Sequence, residues 1–142
     1  MKAACFLKTQ GYQILERNYR CKKGEIDLIA REGQYLVFVE VKYRSTNESG
    51  LPEEAVDLRK QRQISRVAAW YLTEKGLDIY TPCRFDVVAI EGEEIRLCRD
   101  AFFYQGEKKK SGRQKHLQIW KKRIESLSKK MKYRKQTASI RK

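Results

Sequence analysis

The stretch that most constrains the fold is Gly24 to Lys42, GEIDLIAREGQYLVFVEVK. It reads as a β-hairpin, because Gly33-Gln34 is a Gly-X pair of the kind a two-residue type II′ turn takes, with φ > 0 at its first position. That turn pairs Glu32 with Tyr35, and the same register sets Asp27 opposite Glu40 and Glu25 opposite Lys42. Side chains alternate faces along a strand. One face therefore collects Ile26, Leu28, Ala30, Val37, Val39 and Val41, a core face. The other collects Glu25, Asp27, Glu40 and Lys42 at one end, then Ile29, Leu36 and Phe38 further in. Opposed residues have Cβ atoms about 4.5–5.5 Å apart, close enough for two carboxylates to share one divalent cation. A slip of one residue would put Asp27 and Glu40 on opposite faces.

The other elements follow in order. Ala3, Ala4, Phe6 and Leu7 fit one face of a short helix ended by Gly11. Residues 12–18 form a strand, and Asn18 to Lys23 a basic connector into the hairpin. Tyr43 to Leu51 is a polar loop; Pro52 then opens a helix, with Glu53 and Glu54 complementing its dipole. Ala55, Ile64, Val67, Ala68, Tyr71 and Leu72 carry its apolar stripe, and Gly76 ends it. Arg84 to Ile90 is a strand, Glu91-Gly92 a turn, and Glu94 to Phe102 a last strand.

Charge divides the chain where the pattern of elements ends. Residues 1–103 hold 17 Lys and Arg against 16 Asp and Glu, whereas residues 104–142 hold 15 against 2, so the net +14 is a property of the tail. A tail of this kind points towards polyanions, nucleic acid first. Within it, Leu117, Trp120, Ile124, Leu127 and Met131 form a narrow apolar seam on a basic helix. Such a seam suits docking on its own domain, pairing with a copy, a nucleic-acid arm, or a membrane surface. The stretch from Lys132 to Lys142 is expected to be disordered. No apolar run is long enough to span a membrane, and no signal-peptide pattern opens the chain, so the expected location is the cytoplasm. Cys5, Cys21, Cys83 and Cys98 make no CxxC pair, which argues against zinc, and Cys83 and Cys98 read as buried thiols. His116 is the only histidine and lies in the tail, so Ser-His-Asp chemistry lacks its base; no nucleotide-binding glycine loop is present.

Asp27, a dozen intervening residues and then Glu40-Val41-Lys42 resemble the D…(D/E)xK signature of the PD-(D/E)xK nuclease superfamily. The wider run GYQILERNYRCKKGEIDLIA, with VFVEVKYR and later CRFDVVAI, resembles the bacterial YraN family, which is similar to archaeal Holliday-junction resolvases. The resemblance covers residues 3–103. It implies an α/β, restriction-endonuclease-like αβββαβ core, a mixed sheet flanked by helices, over residues 1–103, with residues 104–142 as a basic helical, partly disordered extension. By the same resemblance Asp27 and Glu40 are ligands of Mg²⁺ or Mn²⁺ and the Val41 carbonyl is a third. Lys42 positions water or stabilises developing charge, and Glu25 tunes Lys42. Resolvases of this kind act as dimers, so a homodimer is implied too. They also carry an acidic ligand on the first helix, for which this sequence has no counterpart.

Arg20, Lys22, Lys23 and Arg44 flank the acids and Lys60 and Arg62 follow in the next helix, as candidate phosphate contacts, Arg20 and Arg44 foremost. The plain reading of the hairpin charges is a solvent-facing ion-pair lattice worth a few tenths of a kcal/mol per pair. Acids placed opposite each other, rather than each opposite a base, fit a cation better. The leading expectation is a metal-dependent endonuclease acting on branched or structured DNA. Its rival is a catalytically silent nucleic-acid-binding module recruited through the tail, and a pure interaction protein would leave acids and tail unexplained.

Overall fold

The computed structural model describes residues 1–45, 50–78 and 80–106. Its elements are α1 (Lys2–Thr9), β1 (Gln13–Cys21), β2 (Gly24–Glu32), β3 (Tyr35–Arg44), α2 (Leu58–Glu74), β4 (Cys83–Glu91) and β5 (Glu94–Cys98). The strands lie in one sheet in chain order, antiparallel except for β3 and β4, which run parallel. A parallel neighbour needs a crossover connection, and α2 supplies it. The result is the expected α/β class: a five-stranded mixed sheet with two helices, a restriction-endonuclease-like core.

Each face of the sheet has its own core. On one side α1 packs Ala3, Ala4 and Leu7 against Tyr12, Leu28, Ala30, Val37, Val39, Val88 and Ile90. On the other, α2 packs Ile64, Val67, Ala68, Tyr71 and Leu72 against Ile29, Leu36, Phe38, Phe85 and Val87. Phe85 stacks on Phe102 at 4.9 Å between centroids. The packing continues past the last strand: Phe102 and Tyr104 are buried, and Gln105 N–H donates to the Ser65 hydroxyl at 2.8 Å. The tail from residue 107 onward, with its apolar seam and His116, lies outside the described residues.

The hairpin register is the one expected, from Glu32↔Tyr35 to Leu28↔Val39. Gly33 has φ +55, while Gln34 is not among the positive-φ residues, which is the II′ combination. Three boundaries differ, and one residue changes face. β1 runs through Cys21, so most of the expected basic connector is strand, and the turn shrinks to Lys22-Lys23. The single helix from Pro52 is a 3₁₀ turn, Pro52–Ala55, then an extended Val56, then α2. Asp57 causes the restart: its side chain accepts from Lys60 N–H at 2.8 Å as an N-cap. β5 stops at Cys98, and Asp100 takes φ 57. Finally, Ile26 belongs to the α2-side core rather than sharing a face with Leu28 and Ala30.

That last difference shapes the site. The β1–β2 ladder has a register shift between Ile14 and Glu16, and it passes from Arg17↔Leu28 to Tyr19↔Ile26 over Asn18, whose φ is +49. Asp27 lies opposite Asn18 in a stretch that stays in step, yet face alternation is broken there, since Ile26 and Ile29 share the α2-side core while Leu28 and Ala30 share the other. At the far end of β2, Gly24 has φ +136, and an added Cβ would meet Gln63 Nε2 of α2 at 2.6 Å. Gly24→Ala is therefore expected to cost about 1–2 kcal/mol, mostly backbone strain since the side-chain amide can shift. A urea titration checks it; no loss would mean that the β1–β2 turn relaxes freely.

Candidate functional site

Where β2 leaves the β2–β3 ladder, the two strands part and the acids sit in the fork. Asp27 Oδ2 accepts the Val41 N–H at 2.7 Å, taking the place of a ladder carbonyl. In a strand the N–H and C=O of one residue point to the same neighbour, so the Val41 carbonyl also faces the β2 side. Glu40, only 5% exposed, faces α2. Its Oε1 lies 3.6 Å from Lys42 Nζ and 3.7 Å from Lys60 Nζ. Burial, followed by the charge of Asp27, pushes the Glu40 carboxyl up to about 7 against the pull of Lys60 and Lys42, and a hydrogen bond with Asp27 adds to the rise. Two carboxylates in a half-dry fork, one of them reluctant to ionise, are a donor set that a hard cation relieves.

Glu25 stands elsewhere. Its carboxylate pairs with Arg20 Nε at 3.1 Å, in the β1–β2 ladder where Arg20 and Glu25 are opposite each other. The ladder to β3 does not extend to Glu25↔Lys42. The expected link from Glu25 to Lys42 is therefore replaced by an Arg20–Glu25 pair. Among the described residues no three His, Cys, Asp or Glu side chains converge as a metal cluster, and α1 carries no acidic residue. The acidic donors are Asp27 and Glu40, which fit an oxygen-ligated Mg²⁺ or Mn²⁺ that keeps several waters.

Two open clefts flank the fork. One, of about 410 Å³, is lined by Arg20, Cys21, Gly24, Glu25, Lys60 and Gln63. The other, of about 380 Å³, is lined by Lys42, Arg59, Lys60, Gln63 and Arg66 among others. Lys60 and Gln63 form the ridge between them. Of the expected phosphate contacts, Arg20 and Lys60 line these clefts, whereas Arg62 is exposed and lines neither. Lys22 lies over the Trp70 ring at 4.6 Å, Lys23 is exposed in the turn, and Arg44 donates to the Gly50 carbonyl at 2.9 Å. Sequence reasoning missed Arg59, Gln63 and Arg66. Their i, i+4, i+7 spacing, which places them on one helix face, was the available signal.

A second polar cluster lies on the α1 face of the sheet. Arg84 makes a bidentate pair with Asp86, Nε to Oδ1 and Nη2 to Oδ2, both at 2.8 Å. Arg84 also reaches Glu32 and the Tyr12 hydroxyl, Tyr12 donates to Asp86 at 2.7 Å, and Asp100 N–H donates to Asp86 at 2.9 Å. Burial works against the Arg84 charge, but the hydrogen bonds and charge of Asp86, with help from Glu32, more than offset it and raise its pKa. This network braces β4 against β2 and the start of β1.

The parted hairpin, the paired acids beside a lysine, and the mixed sheet define a PD-(D/E)xK-type architecture. Comparison with known proteins agrees. The model described as "Uncharacterised protein family UPF0102" matches residues 1–90, and this chain belongs to that family, the YraN-like group of PD-(D/E)xK type. A UPF0102 protein of Lachnoclostridium phytofermentans is 59% identical over 101 residues, 71% of this chain and 86% of the relative. Another, from Syntrophus aciditrophicus, is 53% identical over 104 residues, 70% of this chain and 81% of the relative. Among the described residues no helix is long and apolar enough to cross a membrane.

Proposed function

We propose that the chain is a Mg²⁺- or Mn²⁺-dependent endonuclease that hydrolyses phosphodiester bonds in branched or structured DNA. The observation that carries this reading is the fork itself, where Asp27 and Glu40 meet beside Lys42 between two basic clefts. Asp27, Glu40 and the Val41 carbonyl would hold the cation, with Asp27 kept in place by the Val41 N–H. When bound, such a cation stabilises charge on the phosphate and acidifies a water. Lys42, on the strand that carries Glu40, orients the attacking water or meets charge developing on the phosphate. Arg20, Lys60, Arg59 and Arg66 hold the phosphates on either side. Symmetric cutting of a junction needs two such sites, so a homodimer belongs to the same reading.

The test is cleavage of four-way junctions, flaps and plain duplex by purified protein in Mn²⁺. Asp27→Asn is expected to slow cleavage by roughly a hundredfold or more while leaving the melting temperature within a few degrees, since its half-exposed amide still accepts from Val41. Undiminished cleavage by this variant would remove the fork from the reaction. A silent binding module is the second reading, favoured by the two-carboxylate donor set among the described residues. It predicts salt-dependent DNA binding with no cleavage on any substrate.

A further inference from the structure

We propose that Lys60 alternates between two partners: it is the resident counter-cation of Glu40 in the metal-free protein, and it passes to a nucleic-acid phosphate when the acid pair takes up a divalent cation. The inference rests on the nuclease reading of the fork and adds to it a coupling between metal uptake and substrate grip.

Three observations place Lys60 in this role. Its ammonium lies 3.7 Å from Glu40 Oε1, although it belongs to a different element, α2. The same side chain lines both clefts, so it borders the acids and the two concavities that would receive phosphates. Its backbone N–H donates to the Asp57 cap at 2.8 Å, which fixes the start of α2, and its side chain is partly exposed to solvent. A lysine suits such a transfer, because its compact charge sits on a flexible four-carbon stem and makes no bidentate fork. Lys42 is as near, at 3.6 Å, but it is carried on Glu40's own strand and lines only one cleft.

The physical requirement is simple. With the acid pair occupied by a doubly charged cation, an ammonium within 4 Å of Glu40 is repelled. Lys60 then turns towards the bordering clefts, one lined by Arg59 and Arg66 and the other by Arg20, which is paired with Glu25. Substrate is thereby held more tightly by the protein that carries its metal.

The test uses the full chain and compares wild type with Lys60→Met and Lys60→Arg. Mn²⁺ binding is measured by calorimetry, and duplex DNA binding by anisotropy with Mn²⁺ and with chelator. Lys60→Met is expected to bind Mn²⁺ about tenfold more tightly, because a competing charge is gone, and to lose about tenfold of the DNA affinity that Mn²⁺ adds to wild type. Lys60→Arg keeps the positive charge and should therefore bind Mn²⁺ no more tightly than wild type. A Mn²⁺ affinity that is unchanged or weaker in Lys60→Met, with wild-type binding intact, overturns the alternation and leaves the nuclease reading standing. Absence of Mn²⁺ binding in both wild type and Lys60→Met overturns both. Melting curves of the variants separate these outcomes from misfolding: Lys60→Met and Lys60→Arg proteins that both melt far below wild type assign Lys60 to stability and reject the proposal.

Discussion

Asp86→Ala is expected to lower the unfolding free energy by about 3–5 kcal/mol. Asp86 is 0% exposed and accepts four hydrogen bonds: two from Arg84, one from Tyr12 and one from the Asp100 backbone. Its removal leaves the Arg84 guanidinium, itself 3% exposed, with the half-exposed Glu32 as its one remaining carboxylate partner among the described residues. Most of the cost is the under-compensated buried guanidinium, and the hydrogen bonds themselves are the smaller share. Replacing both partners, as Arg84→Met with Asp86→Ala, should accordingly recover more than half of the stability. For a domain of this size the single variant's melting temperature should fall by roughly 15 °C or more. A loss below about 1 kcal/mol would show that water reaches Arg84. Because this cluster lies on the α1 face and the acid fork faces α2, whatever folded Asp86→Ala remains should still bind Mn²⁺.

The same separation of faces explains what the sequence disclosed. The hairpin register was legible because two independent local signals agree: Gly33 demands a particular turn, and alternation across it makes both cores. The meeting of Asp27 with Glu40 follows from that register. The aim of Asp27 does not: opposite it Asn18 adopts φ +49, a conformation that Asn tolerates better than most residues but that its presence in a strand does not announce. The pairing of Glu25 with Arg20 is hidden for the same reason, since the charged half of β1 looks like a connector beyond residue 18. An exposed edge strand with Arg17, Asn18 and Arg20 on it masks its periodicity behind solvation. The restart of α2 is readable in principle: Asp57 followed by a helix-forming run is an N-cap pattern, outweighed by the more conspicuous Pro52. Arg84 and Asp86 sit two apart on a buried strand, yet their partners Tyr12 and Glu32 lie more than fifty residues away, so only the fold shows that the four form one network.

Glu40 makes the protein's stability depend on pH in a direction opposite to that of an ordinary ion-paired carboxylate. Its carboxyl rises from 4.5 in the unfolded chain to about 7 in the fold, chiefly because it is buried and next because Asp27 stands beside it. The folded state thus binds the proton more tightly, so this group's contribution to stability is complete below pH 4.5 and is lost as pH rises through about 7. The loss amounts to on the order of 2–3 kcal/mol at pH 8. Glu40→Gln keeps the shape and carries no charge at any pH. It should match wild type near pH 4 and exceed it by that amount at pH 8, read from urea midpoints at constant m. Metal binding supplies the complementary check. If the fork is the cation site, saturating Mn²⁺ should raise wild-type stability at pH 8, do so progressively less as pH falls below 7 and the proton competes, and do nothing for Glu40→Gln. Equal stability of the two proteins at pH 8 without metal would mean that Lys42 and Lys60 already compensate the buried charge in full. The cation would then find an acid pair with no strain to relieve.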